Sequence, residues 1–210
     1  DKLEEYIILH LFSSKGESLK LKSVTPKRGA KCLCIIPSSS VAKPKNIPKT
    51  VGRIPSLHLK LVESSDQESL AIWNFLIMKE HTIGLTRFFG KQLKYLVGSK
   101  HGWLGAIGFS SSALQVKGRD SWIGWTSKER KKTQHLVINM ARFLIRPSVK
   151  CRNLATRVLS MCCNQVADDW FNRYKEKPVL METFVDPAHF VGTSFLAGNW
   201  KKICKTAGRG

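Results

Sequence analysis

The sequence predicts an α/β fold of the α+β kind, a mixed sheet flanked by helices and preceded by a short basic N-terminal module. Three observations carry this. Apolar runs of strand length alternate with stretches of helical periodicity, in the order strand, helix, antiparallel strands, interrupted strand, helix, strand, short helix, strand. Pro147 follows the apolar run Phe143–Ile145; it has no amide to donate to a ladder, so the sheet is expected to splay there. The chain has 210 residues, 42% of them hydrophobic, enough for one substantial core and a small appended module.

Taken in order, Leu3, Ile7, Ile8 and Leu11 have helical spacing, so Asp1–Phe12 is expected to be a helix. Leu19–Lys22 alternates and Lys31–Ile36 is largely apolar, the marks of two short strands. Pro37–Pro55, with four prolines, three successive serines and scattered lysines, has the composition of an extended, solvated linker. Residues 1–56 are therefore expected to form a basic arm or small DNA-binding module, and residues 57–210 the main domain. Leu57–Val62 opens that domain as a strand, and Ser65 with Glu68 has the spacing of a capping box for a helix reaching Lys79.

Gln92–Val97, a Gly98–Gly102 turn and Trp103–Phe109 read as a hairpin, and Trp122–Trp125 as a third strand. Thr126 or Ser127 is expected to cap a helix reaching Asn139. That length would crowd Lys128, Arg130, Lys131 and Lys132 into its first turns, where positive charge opposes the macrodipole. Phe143–Ile145 then reads as a buried strand, Asn153–Val166 as an amphipathic helix and Val179–Asp186 as a strand. A short helix near Gly192–Ala197 and a strand over Trp200–Lys205 close the pattern.

Charge is the strongest compositional signal. The formal net charge is +20, and residues 71–210 hold 23 Lys and Arg against 8 Asp and Glu, so the folded body itself is basic. So many like charges repel one another unless an anionic partner neutralises them, which points to nucleic acid, with DNA expected. No stretch reaches the roughly 18 apolar residues of a membrane span, and the apolar run Tyr6–Phe12 is too short and acid-flanked for a signal peptide. A cytoplasmic protein without a membrane partner is expected. The six cysteines form no repeated CxxC pairs, which argues against a zinc ribbon and for a reducing compartment.

The element order resembles the GNAT family of N-acetyltransferases. In that family a bulged strand splays a parallel pair and acyl-CoA enters the gap. The segment Lys150-Cys151-Arg152-Asn153-Leu154-Ala155 stands where those enzymes have a pyrophosphate-gripping Gln/Arg-x-x-Gly-x-Gly/Ala loop, with Asn153 in place of a glycine. Phe195 stands where the tyrosine general acid would be and has no proton to give. The resemblance implies the fold and leaves acyl transfer as an alternative function damaged at two positions.

Four longer blocks, GFSSSALQVKGRDSWIGW from Gly108, HLVINMARFLIRPSVKCRNLATRVL from His135, METFVDP from Met181 and GTSFLAGNWKKICKTAGRG from Gly192, are similar to the DruA family of the Druantia anti-phage system. Relatives of that family also stand alone or ahead of transposase domains in bacterial insertion sequences. The resemblance covers residues 57–210 and implies a role around foreign or mobile DNA, with other defence-system or transposase proteins as further partners. Relatives fused to a transposase continue beyond the equivalent of Gly210, so no transposase catalytic core is expected here.

Candidate site residues follow from chemistry. Glu182 and Asp186, four apart on an expected strand, would share a face. With Asp120 they are oxygen ligands of the kind that holds Mg²⁺ for phosphodiester chemistry, and a metal-dependent DNA-processing enzyme is the corresponding alternative function. No other cofactor is implied. A second reading pairs these carboxylates with Arg119, Arg142 or Arg152. His135 and Asn139, at i and i+4 of an expected helix, would form a proton shuttle with a substrate-holding amide, or bond nearby backbone. An exposed tryptophan near Arg119 would suit stacking on an unpaired base, although large aromatics are by default core. For phosphate contact the candidates are Arg119, Lys128, Arg130, Lys131, Lys132, Arg142, Arg146, Lys150, Arg152, Asn153, Arg157, Lys201, Lys202, Lys205 and Arg209.

Overall fold

The structure, a computed structural model, describes residues 6–12, 40–187 and 190–206. Among these residues seven strands form one mixed sheet: β1 (Tyr6–Leu11), β2 (His58–Leu61), β3 (Gln92–Ser99), β4 (Gly102–Ser111), β5 (Val137–Ile145), β6 (Leu180–Val185) and β7 (Lys201–Lys205). Their order is β2-β3-β4-β5-β6-β1-β7. Five α-helices accompany them: α1 (Gln67–Glu80), α2 (Lys117–Ile123), α3 (Ser127–Thr133), α4 (Leu154–Tyr174) and α5 (Thr193–Ala197). No helix among the described residues is long and apolar enough to cross a membrane.

The expected mixed α/β sheet is therefore present, with three corrections to its elements. Tyr6–Leu11 is a strand and not a helix. Ile7, Ile8 and Leu9 are consecutive buried residues, which suits a strand covered on both faces and not a one-sided helix. It pairs antiparallel with β6 (Ile7 opposite Phe184) and with β7 (Ile7 opposite Cys204). The expected strand at Trp122–Trp125 is instead the end of α2, closed by Gly124 in the left-handed conformation at φ 82°. The helix begun at Ser127 stops at Thr133, and Val137–Ile145 is all strand. The two short strands expected at Leu19–Lys22 and Lys31–Ile36 lie outside the described residues.

Contacts divide the chain into two compact units. One draws on Asp1–Glu17, Ser110–Ala141 and Ala155–Gly210. Its core includes Ile7, Leu9, Val137 and Leu180, with Ile123, Trp125 and Ile203 packed against them. The parallel pair β5 and β6 lies partly here and is short: Val137 opposes Leu180, Ile138 opposes Met181, and Asn139 opposes Glu182. Beyond that, the Thr183 hydroxyl donates to the Met140 carbonyl at 3.0 Å, a side chain standing where a ladder amide would be. The two strands thus part after Asn139, well before the break expected at Pro147. Of the two caps expected after Trp125 it is Thr126 that serves, and it does so in a capping box, with Thr126 accepting from the Glu129 amide at 3.2 Å and Glu129 accepting from the Thr126 amide at 2.8 Å.

The second unit comprises Ser18–Phe109 and Arg142–Leu154. Here α1 lays Trp73, Leu76 and Ile77 against Leu96 and Ala106, and the Trp73 indole donates to the Ile107 carbonyl at 2.8 Å. Each such fully buried side chain contributes roughly 1.5–3 kcal/mol. The N-cap of α1 is Asp66, accepting from the Ser69 amide at 3.0 Å, one residue along from the expected Ser65/Glu68 box. A Cβ on Gly105 would overlap the carbonyl oxygen of Leu144 on the adjoining strand, so glycine is what allows the two backbones to approach. Gly105→Ala is expected to cost about 1–3 kcal/mol, read as a lowered urea midpoint; a midpoint equal to the wild type would refute the tight approach.

Candidate nucleic-acid interface

Three arginines assigned above to phosphate contact are buried and internally bonded, which removes them from any surface. Arg119 is 0% exposed. Its guanidinium donates to Glu182 Oε2 at 2.9 Å, to Asp120 Oδ1 at 2.9 and 2.8 Å, and to the Ala113 carbonyl at 3.1 Å. The remaining oxygens are also taken: the Ala113 amide donates to Glu182 Oε1 at 3.0 Å, and Arg130 to Asp120 Oδ2 at 3.2 Å. Gln134 completes the cluster by donating to the Ala113 carbonyl at 2.7 Å. Burial pushes Glu182 above its ordinary value, opposed by Arg119 and by the Ala113 amide.

Arg146 is buried in the other unit, where it donates to both oxygens of Glu80 at 3.1 Å, with a further contact to Oε1 at 2.8 Å. It also donates to the carbonyls of Ala42, Trp103 and Val41. Arg142, also buried, donates to the Gly84 carbonyl and the Thr86 hydroxyl and lies over the Phe88 ring. Burial and the neighbouring Arg142 push His81 down to about 4, and its Nδ1 accepts from the Ile83 amide at 3.2 Å.

The carboxylate trio does not offer an open ligand set. Every oxygen of Asp120 and Glu182 already has a donor, and a cation there would have to displace a guanidinium. Asp186 lies past the end of β6, so it shares no strand face with Glu182, and its carbonyl accepts from the Phe190 amide. Among the described residues no group of three His, Cys, Asp or Glu is placed to hold a metal. These residues therefore do not fit Mg²⁺. His135 and Asn139 are also separated: His135 sits in a 3-10 turn at Gln134–Leu136 and Asn139 in β5, so they share no helical face. The Asn139 amide oxygen is buried without a hydrogen-bond partner.

What is left exposed is still basic. In the second unit, residues 40–53 run alongside the segment after β5: Thr50 and Arg152 form a parallel bridge, the Val51 amide donates to the Arg152 carbonyl at 3.1 Å, and the Arg152 amide to the Lys49 carbonyl at 2.8 Å. This brings together exposed Lys49, Arg53, Lys150 and Arg152, with exposed Lys43 and Lys45 on the same strand of chain. No carboxylate occurs anywhere in residues 18–62 or 130–167. Asn153 is exposed and left-handed at φ 63°, so it keeps the backbone conformation that glycine would supply and adds a side chain to it. Lys43, Lys45, Lys49 and Arg53 escaped the sequence reading because they sit in a stretch that looked like a linker. Their proximity to Arg152 has no local signature.

In the first unit Lys128, Lys131 and Lys132 are exposed on α3, whereas Arg130 turns to Asp120. Because α3 has seven residues, Arg130, Lys131 and Lys132 fall in its last turn, where the macrodipole favours cations; the expected conflict at a helix start is confined to Lys128. Arg157 on α4 and Lys201, Lys202 and Lys205 on β7 are exposed, and Arg209 lies outside the described residues. Phe195 is buried against Trp200, with ring centroids 5.2 Å apart.

A family model described as Druantia protein DruA matches residues 22–210. The chain belongs to the DruA family. The match begins upstream of the 57–210 span on which the sequence resemblance rests, and takes in the basic 40–53 segment. No curated protein and no solved structure matches the chain. Membership associates this DruA-family chain with the Druantia anti-phage system.

Proposed function

We propose that this DruA-family chain is a nucleic-acid-binding component of anti-phage defence, gripping the phosphate backbone, with DNA as the partner. The observation that carries the reading is the basic face made by Lys49, Arg53, Lys150 and Arg152, which two acid-free segments form by backbone pairing. Cations so grouped displace condensed counterions when they meet phosphate, whatever the base sequence. Strand cleavage with Mg²⁺ has no comparable support, since its carboxylates are held by Arg119 and Arg130.

The test is a titration of labelled DNA against salt. If roughly six phosphates are neutralised, the logarithm of affinity should fall against the logarithm of salt with a slope of about −5. Arg152→Ala should weaken binding to all sequences and make the slope shallower by about one. Absence of binding at low salt, or affinity indifferent to salt, would overturn the proposal.

A further inference from the structure

We propose that Trp122 and Lys201 form a stacking site for an unpaired nucleobase, so that single-stranded nucleic acid is favoured over duplex; this rests on the nucleic-acid reading above. Trp122 is 38% exposed, whereas Trp73, Trp170 and Trp200 are at most 3% exposed, and Trp103 and Trp125 are half-buried. It stands on α2, whose backbone is pinned in three ways. Arg119, three residues earlier, is the buried centre of the carboxylate cluster. A Cβ on Gly118 would overlap the sulfur of Cys204 on β7, so helix and strand are in close contact there. Gly124 ends the helix, its amide bonding the Asp120 carbonyl at 3.0 Å. A ring carried on so fixed a helix needs little ordering on binding.

The surroundings select the occupant. Lys201 Nζ lies 5.6 Å from the Trp122 ring centroid, and Lys117, also exposed, is on the same helix. The acid of α2, Asp120, is buried and already bonded to Arg119 and Arg130. An aromatic face beside an ammonium group suits a base with its phosphate: the ring stacks and Lys201 meets the charge. Bases in a duplex have their faces covered by their neighbours, so stacking of this kind selects the unpaired strand.

The experiment measures binding of the full chain to an oligothymidylate of about 16 nucleotides and to a duplex of matching length. Trp122→Ala should weaken single-strand binding roughly tenfold while leaving duplex binding unchanged, and Trp122→Phe should retain most of it. Unaltered single-strand affinity in Trp122→Ala, or an equal loss on both probes, overturns the stacking site while leaving phosphate binding in place. Trp122→Ala that binds both probes normally but loses self-association in light scattering would assign the ring to a protein contact and also overturn it. A wild-type chain that binds neither probe at low salt sinks both proposals together.

Discussion

Arg119→Met is expected to lower stability by about 3–5 kcal/mol at neutral pH, because it removes the partner of a buried carboxylate and leaves Glu182 with only the Ala113 amide. The loss should depend on pH in a definite sense. Burial already raises Glu182 above its ordinary 4.5 in the folded protein, and taking away Arg119 raises it further. A carboxyl whose folded value exceeds its unfolded value binds more protons when folded. Its folded state is therefore favoured at low pH and loses that advantage as pH rises through the folded value. Urea unfolding at about pH 5 and about pH 8 should thus show the larger deficit at the higher pH. A deficit below about 1 kcal/mol, or one equal at both pH values, would contradict the role assigned to the pair. The folded variant should bind duplex DNA with the salt slope of the wild type, since Arg119 reaches no surface to meet phosphate.

Arg146→Ala is expected to cost a similar amount, about 3–5 kcal/mol, for a different reason. One guanidinium satisfies Glu80 and three backbone carbonyls, those of Ala42, Val41 and Trp103. Lysine supplies a point charge without the planar fork, so Arg146→Lys should recover only a minor part of the loss. Thermal unfolding of the two variants beside the wild type reads this directly, and full recovery by lysine would show that charge alone matters at the site. Neither variant should change the salt slope of DNA binding. A changed slope would return Arg146 to the interface.

The mixed sheet was legible because its strands alternate or run apolar and its turns carry glycine. What misled the reading were ionised residues in buried positions. In β5 the inward residues after Ile138 are Met140, Arg142 and Leu144, with Arg146 next in the same alternation. Two arginines on that face hide a period of two, and the segment before them then reads as helix. Arginine is among the residues least often buried, so composition assigns it to the surface unless its partners are known. Those partners are far off in sequence: Glu80 for Arg146, Gly84 and Thr86 for Arg142, Glu182 for Arg119. The same blindness affected α2, where Arg119 and Asp120 face inward and the apolar residues that remain suggest a strand. At Tyr6–Leu11 the failure was of another sort, since a short continuous apolar run has no period that separates a doubly covered strand from a helix.

The placement of β1 has a bearing on how the protein is made. Ile7 leaves the ribosome long before its neighbours Phe184 and Cys204, which lie far along the sequence from it. Until they arrive, a stretch with three consecutive apolar side chains waits with its backbone unpaired on both edges, open to other chains. Contacts so distant in sequence close slowly, because the intervening loop must be ordered before the pairing rewards it. The acids that precede this strand, Asp1, Glu4 and Glu5, then act as gatekeepers against association during synthesis.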